Sequence, residues 1–131
     1  MIGRFHHMDI YVADLARSVA FWGPFLERLG FHLSADRLTA KSWAGDGAEI
    51  FFVQAEAEFA SQGYHRKRVG LNHLAFAVAD HDALASLGDW LRERGARLLY
   101  GGAIEETPTQ HRLFFEDPDR IKVEVLAERR A

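Results

Sequence analysis

Three observations on this 131-residue sequence predict an α+β fold of two βαβββ modules. The segment "HHMDIYVAD" at 6–14 returns within "LNHLAFAVAD" at 71–80. With His7 placed over His73, an offset of 66, Val12-Ala13-Asp14 falls on Val78-Ala79-Asp80 without a gap. Each copy runs into apolar residues at three-to-four spacing, and each helix-like stretch is followed by three short strand-like runs.

The elements follow in order. In the first strand Met8, Ile10 and Val12 share the face that packs beneath a helix, and His7, Asp9 and Tyr11 share the other, because strand side chains alternate. Asp14 caps a helix carrying Leu15, Val19, Trp22 and Leu26, which Gly30 stops. Gly23-Pro24 removes a backbone donor and crowds the preceding turn, which predicts a kink or break and a helix in two pieces. Strands are predicted near 31–36, 38–44 and 48–55, and a polar stretch near 56–69 joins the modules.

The second module repeats the scheme. Leu74, Phe76 and Val78 face the helix; His73, Ala75 and Ala77 lie opposite. Asp80 caps a helix carrying Leu84, Leu87 and Leu91, ended by Gly95. Strands near 96–101, 110–116 and 120–126 complete it; in "IKVEVL" Ile121, Val123 and Val125 pack inward while Lys122, Glu124 and Leu126 point away. The expected organisation is one domain of two modules, about 1–56 and 70–127. Neither half has enough sheet to bury its helix, so they complete one structure, within a chain or across a swapped dimer, and a homodimer is expected.

Composition excludes several classes of function. At 48% apolar residues the chain can bury one substantial core. A net charge of −3, with "YHRKR" at 64–68 as the only dense cationic run, argues against a nucleic-acid partner. No apolar run approaches the roughly 18 residues of a membrane span. No cysteine and no charged-then-apolar leader are present, so a cytoplasmic protein without disulfides is expected.

His7, His73 and Glu124 therefore all point away from the apolar layer. Two histidines and a carboxylate form a candidate metal site with open positions. A single strand histidine is more often a half-buried residue with a satisfied ring; recurrence at the equivalent repeat position, with a carboxylate of matching parity, favours the metal reading.

With "HHMDIYVADLARSVAFW" at 6–22, "LNHLAFAVAD" at 71–80, "ERGARL" at 93–98 and "FFEDPDRIKVEVL" at 114–126, nearly the whole chain resembles the vicinal oxygen chelate superfamily. That superfamily includes glyoxalase I, extradiol dioxygenases, fosfomycin-resistance and bleomycin-resistance proteins. The resemblance implies paired βαβββ modules forming a cup-shaped mixed sheet with helices on its outer face, around one divalent ion of iron, manganese, nickel or zinc. It implies His7, His73 and Glu124 as ligands and a small substrate with adjacent oxygens. The ion would act as a Lewis acid, or present dioxygen if it is iron.

The resemblance also carries departures. Glyoxalase I enzymes add a fourth-strand glutamate where this chain has Phe51; Glu49 shares its parity but lies two residues away, roughly 7 Å along a strand. The acid-base tyrosine of extradiol dioxygenases corresponds to Phe114, and the threonine of fosfomycin-resistance proteins to Asp9. None of the three activities transfers cleanly. Arg120 stands where the family has the glycine of "DPDG".

Other residues carry two readings each. Asp9 and Tyr11 share the His7 face and are candidates to orient substrate or move a proton, beside Glu124; equally, Asp9 hydrogen-bonds a ligand histidine and Tyr11 packs as wall. Phe51, Phe114 and Tyr11 suit a metal-free protein that sequesters a flat compound, as bleomycin-resistance proteins do. Arg66 is a candidate contact for a substrate carboxylate or phosphate, though a solvated linker is the simpler reading. His6, His32, His65, His81 and His111 are expected at the surface or behind the site.

Overall fold

The computed structural model describes residues 1–130 and divides into two compact units, Met1–Gly63 and a second beginning at Tyr64. In the first, β1 (His7–Val12), α1 (Leu15–Arg28), β2 (His32–Asp36), β3 (Ala40–Gly45) and β4 (Ala48–Gln54) build a sheet of order β1-β4-β3-β2. A short helix α2 (Ala57–Ala60) follows, within the polar stretch that joins the modules. The second unit contains β5 (His73–Ala77), α3 (His81–Glu93), β6 (Arg97–Leu98), β7 (Glu105–Glu106), β8 (Gln110–Glu116) and β9 (Lys122–Glu128), in the order β5-β9-β8-β6 with β7 also on β8. This is the predicted α+β class with two βαβββ modules, the second carrying one additional strand, β7.

Each module closes in the same way: its first strand pairs in parallel with its last, β1 with β4 and β5 with β9, and the helix makes the crossover. Of the predicted inward faces, Ile10, Val12, Ile121, Val123 and Val125 are buried, and Met8, Leu74, Phe76 and Val78 are half-buried. In the first unit α1 packs on β2, β3 and β4, with its Trp22, Phe25 and Leu26 fully buried and Trp22 stacked on Phe52 at 5.0 Å. In the second unit Leu84, Leu87 and Leu91 pack on a sheet whose Leu113, Phe115, Val123 and Val125 are buried.

Both helices end as expected. Asp14 accepts from the Arg17 N–H and Asp80 from the Ala83 N–H, satisfying donors that the first turn leaves open. At the C-termini Gly30 (φ 92°) and Gly95 (φ 74°) take the left-handed conformation, so that the Phe31 N–H reaches the Leu26 carbonyl and the Ala96 N–H reaches that of Leu91.

Two expectations are corrected. α1 is one unbroken helix with Pro24 inside it, not two pieces. An interior proline costs about 3 kcal/mol. Trp22, Phe25 and Leu26, on both sides of it, are buried against the same sheet, at roughly 1.5–3 kcal/mol each, which outweighs that cost. Gly23 adds a close approach: a Cβ there would lie 3.0 Å from the Trp43 ring. The strand expected over 96–101 is two residues long, because Tyr100, Gly101 and Gly102 all have positive φ (54°, 77° and 75°) and turn the backbone off the ladder.

Candidate metal and substrate site

Parity on β1 places His7, Asp9 and Tyr11 on an exposed face, opposite Ile10 and Val12; Tyr11 is 72% exposed and does not pack as wall within its unit. The β1–β4 register pairs His7 with Glu49 and Asp9 with Phe51. The β5–β9 register pairs His73 with Lys122 and Ala75 with Glu124. Phe51 therefore holds in the first unit the place that Glu124 holds in the second. Its ring meets His7 edge-on at 5.7 Å, whereas Glu49 accepts a hydrogen bond from the Ser42 hydroxyl at 2.5 Å. His7 Nε2 lies 3.9 Å from the Asp9 carboxylate, and His7 Nδ1 lies 2.8 Å from His6 Nδ1. His6 precedes the strand, so the alternation that would have turned it to the opposite face does not apply.

In the second unit a short chain of polar atoms forms on the face away from the core. His73 Nδ1 lies 2.6 Å from Asn72 Oδ1, and His73 Nε2 lies 2.8 Å from Glu124 Oε2. Glu124 is buried although it sits on the open face of β9. Phe114, paired with Glu124 across β8–β9, covers it and meets His73 edge-on at 6.3 Å. Asn72 is the residue that strand patterning missed, because it lies just outside β5; the Asn-His dipeptide is its only signal in the sequence.

The donor chemistry fits a divalent ion. Asn72 Oδ1 is an acceptor, so with an ion bound a neutral imidazole protonated on Nδ1 would donate to it and present its Nε2 lone pair to the ion beside the Glu124 carboxylate. Two facing ligand atoms 2.8 Å apart suit neighbouring positions on an octahedral ion, which lie about 3 Å apart at metal–ligand distances of about 2.1 Å.

Around this pair lie an aromatic contact and a cation. Lys122 Nζ donates to the Tyr100 hydroxyl at 2.8 Å and sits 4.7 Å from the centre of the Phe114 ring, with Tyr100 edge-on to Phe114 at 5.4 Å. Arg66 is engaged elsewhere: its guanidinium donates to buried Glu116 at 2.9 Å, with Arg97 and Arg120 each 3.5 Å from the other oxygen. Burial would raise the Glu116 pKa, but the Arg66 hydrogen bond and the charges of Arg120 and Arg66 outweigh it and hold the carboxyl below its ordinary value. Nearby, burial pushes the Tyr64 hydroxyl up from its usual pKa; that hydroxyl donates to the Leu71 carbonyl and thereby fastens the segment leading into His73.

Among the histidines expected at the surface or behind the site, the fold brings two together: His81 and His111 meet edge-on at 4.9 Å beside Glu106. His65 accepts from the Lys67 N–H, and His32 is exposed on β2.

The paired modules and this polar face define a class, and the chain belongs to the Glyoxalase/Bleomycin resistance protein/Dioxygenase superfamily, whose family model matches residues 4–125. Over 124 residues it is 40% identical to the uncharacterized protein YqjT of Bacillus subtilis strain 168, covering 93% of this chain and 97% of YqjT. It is 34% identical over 131 residues to the uncharacterized protein YaeR of Escherichia coli K12, covering 92% of each. A crystal structure from Bacillus halodurans superposes with a TM-score of 0.90 at 39% identity, covering 95% of this chain and 96% of that one. The fold is shared with a glyoxylase/bleomycin resistance protein/dioxygenase domain from Frankia sp. EAN1pec, at a TM-score of 0.77, 23% identity, and 98% and 100% coverage. No helix among the described residues is long and apolar enough to cross a membrane.

Proposed function

We propose that the protein is a metal-dependent enzyme acting on a small substrate with adjacent oxygens, with a divalent ion held by His73 and Glu124 and by His7 of the same chain or of a second copy. The Asn72–His73–Glu124 arrangement carries this reading: one ring nitrogen is held by an acceptor, and the other is turned to a buried carboxylate. The bound ion would supply Lewis acidity to oxygens that become negative during reaction.

The chain's own groups do the rest. Asn72 fixes the ring orientation of His73. Phe114 lowers the local polarity beside Glu124 and keeps water from that side. Asp9 and Tyr11, exposed on the His7 face, take the proton-moving and orienting roles. Phe51, in the place equivalent to Glu124, contributes an apolar contact rather than a fourth carboxylate ligand, so the chemistry differs from that of a four-ligand glyoxalase.

A second reading, sequestration of a flat compound without metal, is favoured by one observation, the Tyr100–Phe114 pair with Lys122 against it. Elemental analysis of tag-free protein purified without chelator, followed by titration with zinc, manganese and nickel, separates the two. About one equivalent at a site lost in Glu124→Gln supports the enzyme. Failure of every metal to bind at this site, with wild type and Glu124→Gln alike, overturns it in favour of sequestration.

A further inference from the structure

The second unit contains another group of metal-ligating side chains, away from His73 and Glu124 in the sheet. We propose that His81, Glu106 and His111 form a second divalent-metal site, which ties the start of α3 to the β7–β8 hairpin.

The backbone prearranges two of the three ligands. Glu106 and His111 are partners in the antiparallel β7–β8 ladder, so their side chains leave the same face, and His111 Nδ1 lies 2.5 Å from Glu106 Oε2. The connecting turn is closed by Thr107, whose N–H reaches the Gln110 carbonyl at 2.9 Å and whose hydroxyl accepts from the Gln110 N–H, also at 2.9 Å. The third ligand comes from the first residue of α3. Asp80 already caps that helix, so His81 has no capping task, and its Nε2 lies 3.9 Å from Glu106 Oε1.

One ligand atom from each residue falls within 4.8 Å of the others. Ligands of a tetrahedral zinc ion stand roughly 3.3 Å apart at bond lengths of about 2.0–2.1 Å. The adjustment is small and can be made by the side chains of His81 and Glu106, which are 46% and 47% exposed, toward His111, which is 18% exposed. The exposed sides of His81 and Glu106 leave positions for water. Two imidazoles and one carboxylate without thiolate select zinc, cobalt, nickel or copper(II) over magnesium and calcium, which prefer oxygen donors.

The surroundings set the affinity. Asp82 Oδ1 lies 3.8 Å from His81 Nδ1, on the ring nitrogen that a metal on Nε2 leaves free, where a carboxylate orients a ligand histidine. Two features oppose a cation. Arg129 places a guanidinium nitrogen 3.9 Å from Glu106 Oε2, and the N-terminus of α3 carries partial positive charge. Removal of Arg129 is therefore expected to strengthen binding.

The test is made independent of the proposed active site. Tag-free His6→Ala/His7→Ala/His73→Ala protein is titrated with zinc by calorimetry and with cobalt by visible absorption. We expect one equivalent of zinc, and cobalt bands of a nitrogen- and oxygen-ligated ion. Adding His81→Ala and His111→Ala should abolish both, and Arg129→Gln in the triple variant should tighten zinc binding severalfold. Absence of binding in the triple variant overturns the site, as does unchanged affinity after loss of His81 and His111. If the fivefold variant does not fold by circular dichroism, His81→Gln at its exposed helix start replaces it. That change must weaken zinc at least about tenfold, and an unaltered Kd overturns the site equally.

Discussion

Glu116 shows how one buried charge organises a segment distant in sequence. Its carboxylate faces Arg66, Arg97 and Arg120, from three different parts of the second unit. Glu116→Gln should lower stability by about 1.5–3 kcal/mol, the range for hydrogen bonds to charged groups, readable as a fall in Tm. Its pH signature follows from the depressed pKa. The unfolded carboxyl titrates near its ordinary value of 4.5 and the folded one below it, so the contribution is complete above that value and is lost as pH falls through the lower, folded value. Stability of Glu116→Gln should therefore fall less steeply than that of wild type below about pH 4.5. Equal slopes would show that the carboxylate does not carry this linkage.

Arg120 poses the opposite balance. Its φ of 67° is a left-handed conformation that costs a side-chain-bearing residue about 1 kcal/mol relative to glycine. Its guanidinium returns a contact with Glu116 at 3.5 Å from a largely exposed position, worth less than about 1 kcal/mol. Arg120→Gly should accordingly leave Tm unchanged or raise it slightly. A fall of more than a few degrees would mean that the Arg120–Glu116 contact outweighs the backbone strain.

At the scale of elements, α1 tests whether packing or propensity governs a helix. Alanine exceeds glycine by about 1 kcal/mol in a helix interior, so propensity alone makes Gly23→Ala stabilising. The Trp43 ring would stand 3.0 Å from the new methyl, however, and overpacking costs about 1–3 kcal/mol. We expect net destabilisation in a denaturant melt; a higher midpoint would mean that Trp43 yields without cost. The same competition explains Pro24, since the buried aromatic residues around it hold the helix together against its local preference.

For the whole molecule, the proposed ion links binding to stability. A ligand at 100 times its Kd adds about 2.7 kcal/mol when it binds only the folded state, a shift of several degrees for a chain of this size. With the His81 and His111 ligands removed by His81→Ala and His111→Ala, His7→Ala, His73→Ala and Glu124→Ala should each remove most of the gain that metal produces in scanning calorimetry, and chelator should reverse it in the parent. Because His6 lies beside His7, the better control is His32→Ala, at an exposed position on β2. Retention of the full shift in all three ligand variants would exclude these residues as the stabilising site.

The sequence by itself determined what local physics controls. Alternation assigned the inward faces of β1, β5 and β9, Asp14 and Asp80 announced the helix starts, Gly30 and Gly95 the stops, and the offset of 66 the doubled module. These depend on neighbours a few residues apart. Only the tertiary structure decided which strands pair and in what register, and so placed Phe51 opposite Asp9 and Glu124 opposite Ala75. It also joined Arg66 to Glu116, 50 residues away, and His81 to Glu106 and His111, from a helix start and two strands. No periodicity encodes such meetings, because they follow from where packed elements bring distant backbone together.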